Sequence, residues 1–240
     1  MALEIIPDRA GREVAFEPML DELLTAFSPG WELPPIMEGE ERYHCNEVKR
    51  FQVGEAATQD LEATRQHADL LIRAAVHDQC RSGIRQLIEP LVKAIGHRQV
   101  QSAIVDYMRT GSDVEKVGAS MAWYFARPGL QYASMEDLRR GVPTQESKAE
   151  LEALADLRDD YRAACLSAFL TCEIPETRQD LSLDLSLDAT SYPAALQDSH
   201  EKARRIILAD PERYRLLLER CTHASSPMEN QQDRPTDPHA

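Results

Sequence analysis

Ile84-Arg85-Gln86-Leu87-Ile88-Glu89-Pro90-Leu91-Val92-Lys93-Ala94-Ile95-Gly96 is the stretch that decides the fold class. Its apolar residues, Ile84, Leu87, Ile88, Leu91, Val92 and Ile95, recur at i, i+3, i+4, i+7, i+8 and i+11, the spacing of one helical face. Pro90 lies inside that stripe and removes a backbone donor, so a kink is expected there, and Gly96 supplies a stop. The period resumes over residues 97–109 through Val100, Ile104, Val105 and Met108. Upstream, residues 55–80 read as one long helix with Leu61, Ala68, Leu71, Ile72, Ala75 and Val76 on its inner stripe. Downstream, Asp113–Ala126 is apolar nearly all round, which predicts a helix buried between neighbours. Gly118 sits in its middle, where Gly costs about 1 kcal/mol against Ala. A close approach by a neighbouring backbone would justify it, and Gly118→Ala should then gain propensity, lose packing and net near zero.

Further out, residues 147–171, 194–208 and 211–221 carry helical patterns, with a short turn at 135–140 between Arg127-Pro128-Gly129 and Gly141-Val142-Pro143. Pro18 is expected to open a helix with Met19, Leu20, Leu23, Leu24 and Phe27 inward, stopped by Ser28-Pro29-Gly30. Trp31 to Gly39, with Pro34-Pro35, reads as an extended linker. Residues 41–53 fit either a strand or a helix. Leu181, Leu183, Leu185 and Leu187 alternate with Ser and Asp at a strand period, yet Asp disfavours strands. The segment therefore reads as a helix fraying into a loop before Tyr192-Pro193. The expectation is an all-α chain with an irregular helical region at 1–54, a helical domain at 55–221 and a disordered tail at 222–240.

Composition agrees. Of 240 residues, 10 are Gly and 6% are aromatic, too few for the many turns and aromatic strands of a sandwich or barrel. The 41 acids against 27 Lys and Arg give a formal charge of −14, which repels nucleic-acid backbones and anionic lipid and favours a basic partner or plain solubility. Cysteines stand at 45, 80, 165, 172 and 221, an odd count without framework spacing, so a reducing, cytoplasmic setting is expected. No basic-then-apolar leader opens the sequence, and no apolar run approaches the roughly 20 residues that span a bilayer.

Three places share one pattern, an apolar helix, a turn with an acid or Pro, and a second helix opening on charge. They are Ala103–Met108 with Gly111-Ser112-Asp113 and Val114–Ala119, Ala164–Leu170 with Glu173-Ile174-Pro175-Glu176, and Ala203–Leu208 with Asp210-Pro211-Glu212-Arg213. Asp or Ser caps the free N–H groups of the second helix, Pro in its first turn sacrifices no hydrogen bond, and Glu there suits the helix dipole. Over roughly residues 82–221 this resembles the HEAT repeat, and Pro90 resembles the Pro that kinks the first helix of many such repeats. Ile174 and Arg213 depart from the pattern, and the insertion after Pro128 breaks its period. The resemblance implies an α-solenoid of about three stacked helix pairs, preceded by the irregular N-terminal region, whose surface binds another protein.

For chemistry, His77-Asp78 closes an apolar helix as the His-Asp pair does in HD-domain phosphohydrolases, which are also all-helical. That likeness implies a divalent metal held by His77 and Asp78, with His44 and Asp106 as further ligands. The residues that follow, Gln79-Cys80-Arg81, depart from that family's pattern. His77 and Cys80 have the spacing of two zinc ligands, without a second pair to complete a site. No complete catalytic motif is present, and neither cofactor nor metal is expected. Trp123, Tyr124 and Arg127 cluster at a helix end and are residue types enriched in interface hot spots, although Trp123 and Tyr124 read first as core. Basic residues at 139–140, 202–205 and 213–220 interleave with acids and are expected to form surface ion pairs. The favoured expectation is a non-enzymatic protein-binding adaptor. An acidic immunity or inhibitor protein neutralising a basic toxin or nuclease, and the metal-dependent phosphohydrolase, stand as alternatives.

Overall fold

The computed structural model describes residues 12–34 and 42–224, and every regular element among them is helical. The helices are α1 (Arg12–Phe27), α2 (Arg42–Gln59), α3 (Leu61–Gln66), α4 (Ala68–His77), α5 (Ile84–Thr110) and α6 (Asp113–Ala126). There follow α7 (Met135–Arg140), α8 (Gln145–Ala153), α9 (Ala155–Thr171), α10 (Pro175–Ser182), α11 (Gln197–Ala209) and α12 (Arg215–Ala224). No described helix is long and apolar enough to cross a membrane.

Two layers result from how these helices pack. In one, α1 lies on α4, α4 on α6 and α6 on α10; in the other, α2 lies on α5, α5 on α9 and α9 on α11. The cross-layer partners α1–α2, α4–α5, α5–α6 and α9–α10 are each consecutive in sequence, and α5–α6 is the most extensive of them. The stripes read from sequence line the space between: Leu71, Ile72, Ala75, Val76, Leu87, Ile88, Leu91, Ile104 and Met108 are all buried. Phe16, Leu20 and Leu23 join the same core, and the boundary expected at 54/55 falls inside α2.

Several element ends differ from expectation for local reasons. The long helix over 55–80 is interrupted twice. Asp60 accepts hydrogen bonds from the backbone N–H groups of Glu62 and Ala63, 3.1 and 2.9 Å away, and so starts α3 afresh. Buried Thr64 then donates its hydroxyl to the Ala57 carbonyl across the break. Pro18 does not open α1 but sits inside it, and residues 42–53, readable either way, are helical because they continue into α2. The helix expected over 147–171 breaks at Leu154 into α8 and α9. The last helix starts at Arg215 and runs to Ala224, so 222–224 are helical rather than tail. The disordered tail expected over 225–240 and the 35–39 part of the expected linker lie outside the described residues.

In α5 the break occurs at Gly96, whose φ of 81° and ψ of 158° no helix contains. No departure from helical geometry accompanies Pro90. The carbonyl that Pro90 deprives of its N–H is that of Gln86, and it points at Gly54 of α2. A Cβ on Gly54 would stand 2.7 Å from that oxygen, so only Gly lets α2 settle on α5 here. Arg65 on α3 donates its Nε to the Ala94 carbonyl, 2.9 Å away and beside the Gly96 break.

Gly118 plays the same part in the other layer. A Cβ there would lie 1.7 Å from the Val76 carbonyl oxygen, so α6 and α4 cross backbone on backbone. The close approach expected from the sequence is present, but the near-zero balance expected for Gly118→Ala is wrong. No rotamer relieves a Cβ clash with a backbone atom, and one helix must move off the other. Gly118→Ala should cost at least about 3 kcal/mol, the upper end of ordinary overpacking. That corresponds to a melting temperature lower by roughly 6–12 °C for a domain of this size, read by thermal circular dichroism. An unchanged or raised melting temperature would show that the two helices do not cross here.

Candidate functional site

The sequence candidates fall in two separate places. His77 and Asp78 end α4, and the structure commits the aspartate elsewhere. Asp78 is buried and takes the Arg50 Nη1 on both carboxylate oxygens, at 3.1 and 3.2 Å, while the Cys80 N–H donates to Oδ1 at 2.9 Å. Arg50 is buried as well, so the pair ties α2 to the end of α4. His77 places Nε2 3.6 Å from Glu115 Oε1, and His44, half exposed, lies 3.9 Å from Glu47. Burial raises the Glu115 carboxyl, but hydrogen bonds from Ser112 and the nearby His77 outweigh it and leave Glu115 below its ordinary value. Cys80 has its sulfur 3.5 Å from the Ser82 hydroxyl, and Asp106 is exposed on α5. Among the described residues no three His, Cys, Asp or Glu side chains are grouped so as to hold a metal ion.

The interface candidates, by contrast, meet. Trp123, Tyr124 and Arg127 all line one cleft of about 470 Å³, a volume typical of ligand sites. Their positions follow from the end of α6. The Ala126 carbonyl, left over at the helix terminus, takes Gln101 Nε2 at 2.9 Å and lies 2.8 Å from His97 Nδ1. That fixes where the chain leaves α6. Trp123 stays in the core, as expected, and stacks on Tyr161 of α9 at 4.1 Å between centroids and 6° between planes. Tyr124 does not: it is 64% exposed, with the Arg127 guanidinium 4.9 Å from its ring centroid.

The opposite wall is the leucine-alternating segment. Leu181 and Leu185 turn into the core, while Asp184 faces the cleft and accepts a hydrogen bond from the Tyr161 hydroxyl at 3.0 Å. Burial pushes the Tyr161 hydroxyl and the adjacent Cys165 thiol well up, so both stay protonated and Tyr161 stays a donor. The segment is braced along its length. Arg220 of α12 donates to the carbonyls of Leu183 and Leu185, the latter at 2.8 Å. Tyr192 accepts from the Ser186 N–H at 2.9 Å, and His200 Nε2 lies 3.0 Å from the Ser186 carbonyl. Gln197 donates to the carbonyls of Ala189 and Tyr192. This is loop backbone satisfied by side chains, which is why a strand-period sequence forms no strand.

The third side is α8 and α9. Arg98 of α5 holds their junction with paired bonds of 2.9 Å to Asp156 and a further bond to the Ala153 carbonyl, and its hydrogen bonds draw the Asp156 carboxyl down to about 2. Arg158, Tyr161 and Arg162 then project together, at i, i+3 and i+4 of α9. The charged residues of the lining are thus Arg127, Arg158, Arg162 and Arg220 against Asp184 alone, a local excess of positive charge in a chain of net −14. Arg213 and Arg215 form the surface ion pairs expected of the basic residues, with Asp210 and Glu219, whereas Arg220 belongs to the cleft.

Sequence reasoning missed Tyr161, Asp184, Tyr192 and the arginines at 158, 162 and 220. The α9 trio was legible as one helical face. Nothing local marks Asp184 or Tyr192 as sharing a site with Trp123. Comparison with protein-family models, with curated proteins and with solved structures found no match.

Two predictions test this geometry. Removing one member of the Arg50–Asp78 pair strands a buried charge, so Asp78→Ala should cost about 3–5 kcal/mol in urea unfolding, whereas Arg50→Met with Asp78→Leu should lie much closer to wild type. Equal losses in both would mean the pair is not a buried, mutually dependent unit. The second concerns Asp184. It is open to solvent in the cleft but ringed by protein, and burial raises its carboxyl despite the Ser120 and Tyr161 hydrogen bonds and the nearby Arg220 and Arg81. A raised native value means the folded state holds the proton more tightly, so stability falls as pH rises from the ordinary aspartate range of about 4 through that value. Asp184→Asn keeps an acceptor for Tyr161 and should raise the melting temperature at pH 7 but hardly at pH 3.5. A variant less stable at pH 7 than wild type would contradict this.

Proposed function

We propose that this chain is a HEAT-like helical-repeat protein that binds another protein, and that it does so through the cleft between α6, α9 and the 183–192 segment. The observation that carries this is Tyr124. A tyrosine 64% exposed at the end of an otherwise apolar helix, stacked with a guanidinium at the mouth of a cleft, is a poor arrangement for a core and a good one for a contact. The layered order of helices supports the repeat reading, since each helix of a layer packs on its predecessor and successor, as in stacked repeats. Rigid walls support binding: the cleft's aromatic and backbone groups are held by hydrogen bonds and stacking before anything enters, which lowers the ordering cost of association.

The test is site-specific photo-crosslinking in the cells that make the protein. A benzophenone amino acid in place of Tyr124 should give one discrete protein adduct, lost when Arg127→Ala is added. The same group in place of Phe51, also exposed but on α2, should give none. Adducts equally abundant at both positions, or absent at Tyr124, would overturn the assignment of this cleft.

A further inference from the structure

We infer that the cleft takes an acidic peptide segment, with partner carboxylates on Arg127 and Arg158. This rests on the reading of the cleft as a protein-binding site and gives it a chemistry opposite to the one the whole-chain charge suggests. The four cleft arginines are not equivalent. Arg220 spends its guanidinium on the Leu183 and Leu185 carbonyls, and Arg162 lies 3.3 Å from Asp159 of its own helix. Arg127 and Arg158 are exposed, and neither has a carboxylate partner among the described residues. Elsewhere Arg98, Arg109, Arg204 and Arg205 are paired with carboxylates, whereas the exposed Arg73, Arg81 and Arg139 stand singly outside the cleft lining, so it is the convergence of Arg127 and Arg158 on one recess that sets them apart. Two unpaired guanidiniums at one cleft, on a chain with 14 more acids than bases, leave a local site for carboxylates, which the planar guanidinium fork matches in geometry.

The rest of the lining favours a peptide over other anions. Asp184 is an acceptor on the cleft wall, suited to the N–H groups of a peptide backbone, donors that inorganic phosphate lacks. Leu151 and Leu183, both half-buried in the lining, offer apolar surface for side chains between the charged positions. A polyanion such as nucleic acid would face the −14 field of the whole molecule, while a segment with two or three carboxylates meets chiefly the cleft.

The probe is a displayed library of random 12-residue peptides selected on the full chain. The selected peptides are then synthesised and titrated by fluorescence polarisation, with ATP and inorganic phosphate as competitors. Selected sequences should be enriched in Asp and Glu, and Arg127→Ala with Arg158→Ala should weaken them at least tenfold without changing the thermal melt. Their affinity should fall as salt rises, and Arg158→Glu should shift selection towards Lys and Arg. Peptides lost on Tyr124→Ala but neither acidic nor sensitive to the arginine variants would overturn the acidic specificity and leave the protein-binding reading standing. Peptides indifferent to all cleft variants would sink both. ATP or phosphate binding that depends on Arg127 and Arg158, with no acidic peptide selected, would overturn the peptide and assign the arginines to a small anion.

Discussion

Two carbonyl oxygens set the spacing of this molecule. That of Val76 rests against Gly118, and that of Gln86 against Gly54, one contact in each layer of helices. Helices whose interface carries ordinary side chains pack 8–10 Å apart; where a glycine faces a backbone they come closer. Each close crossing draws the flanking residues together, so the Ala74-Ala75-Val76 run of α4 and the Ala119 and Ala122 positions of α6 are small as well as buried. The small residues of α6 are thus not filler in an apolar helix. They define how near α4 must lie, and from that where the end of α6 emerges.

The cleft follows from that emergence. Nothing in it is held by one element alone: α5 supplies the groups that fix the last carbonyl of α6, Arg98 locks the α8–α9 junction, and α12 grips the opposite wall. Such a site is stiff because its neighbours are packed for other reasons. It can also carry a charge that the rest of the surface does not, since Arg127 leaves α6 just past its end while Arg158 and Arg162 ride on α9. An acidic exterior with a cationic recess discourages long-range attachment to polyanions while keeping a short-range preference.

How much of this could be read beforehand depended on the range of the cause. The inner stripes of α4, α5 and α6 were legible because periodicity is local, and Gly96 and the Ser112 cap because backbone chemistry is local too. The breaks at Asp60 and Leu154 were missed because helix-favouring composition runs straight through both. Tyr124 was misjudged because an apolar helix is taken as buried all round, whereas α6 ends where its cover ends. Trp123, Tyr124 and Arg127 could be named as a cluster since they share one helix end. Asp184 and Arg220 could not, because only tertiary packing carries them there from 60 and nearly 100 residues away.

Arg220 has one more implication, for the order in which the protein is made. The wall formed by residues 183–192 is stapled by a side chain that leaves the ribosome almost thirty residues later. Until α12 has emerged, the carbonyls of Leu183 and Leu185 lack the side chain that holds them. The recess is therefore the last feature of the molecule to be completed.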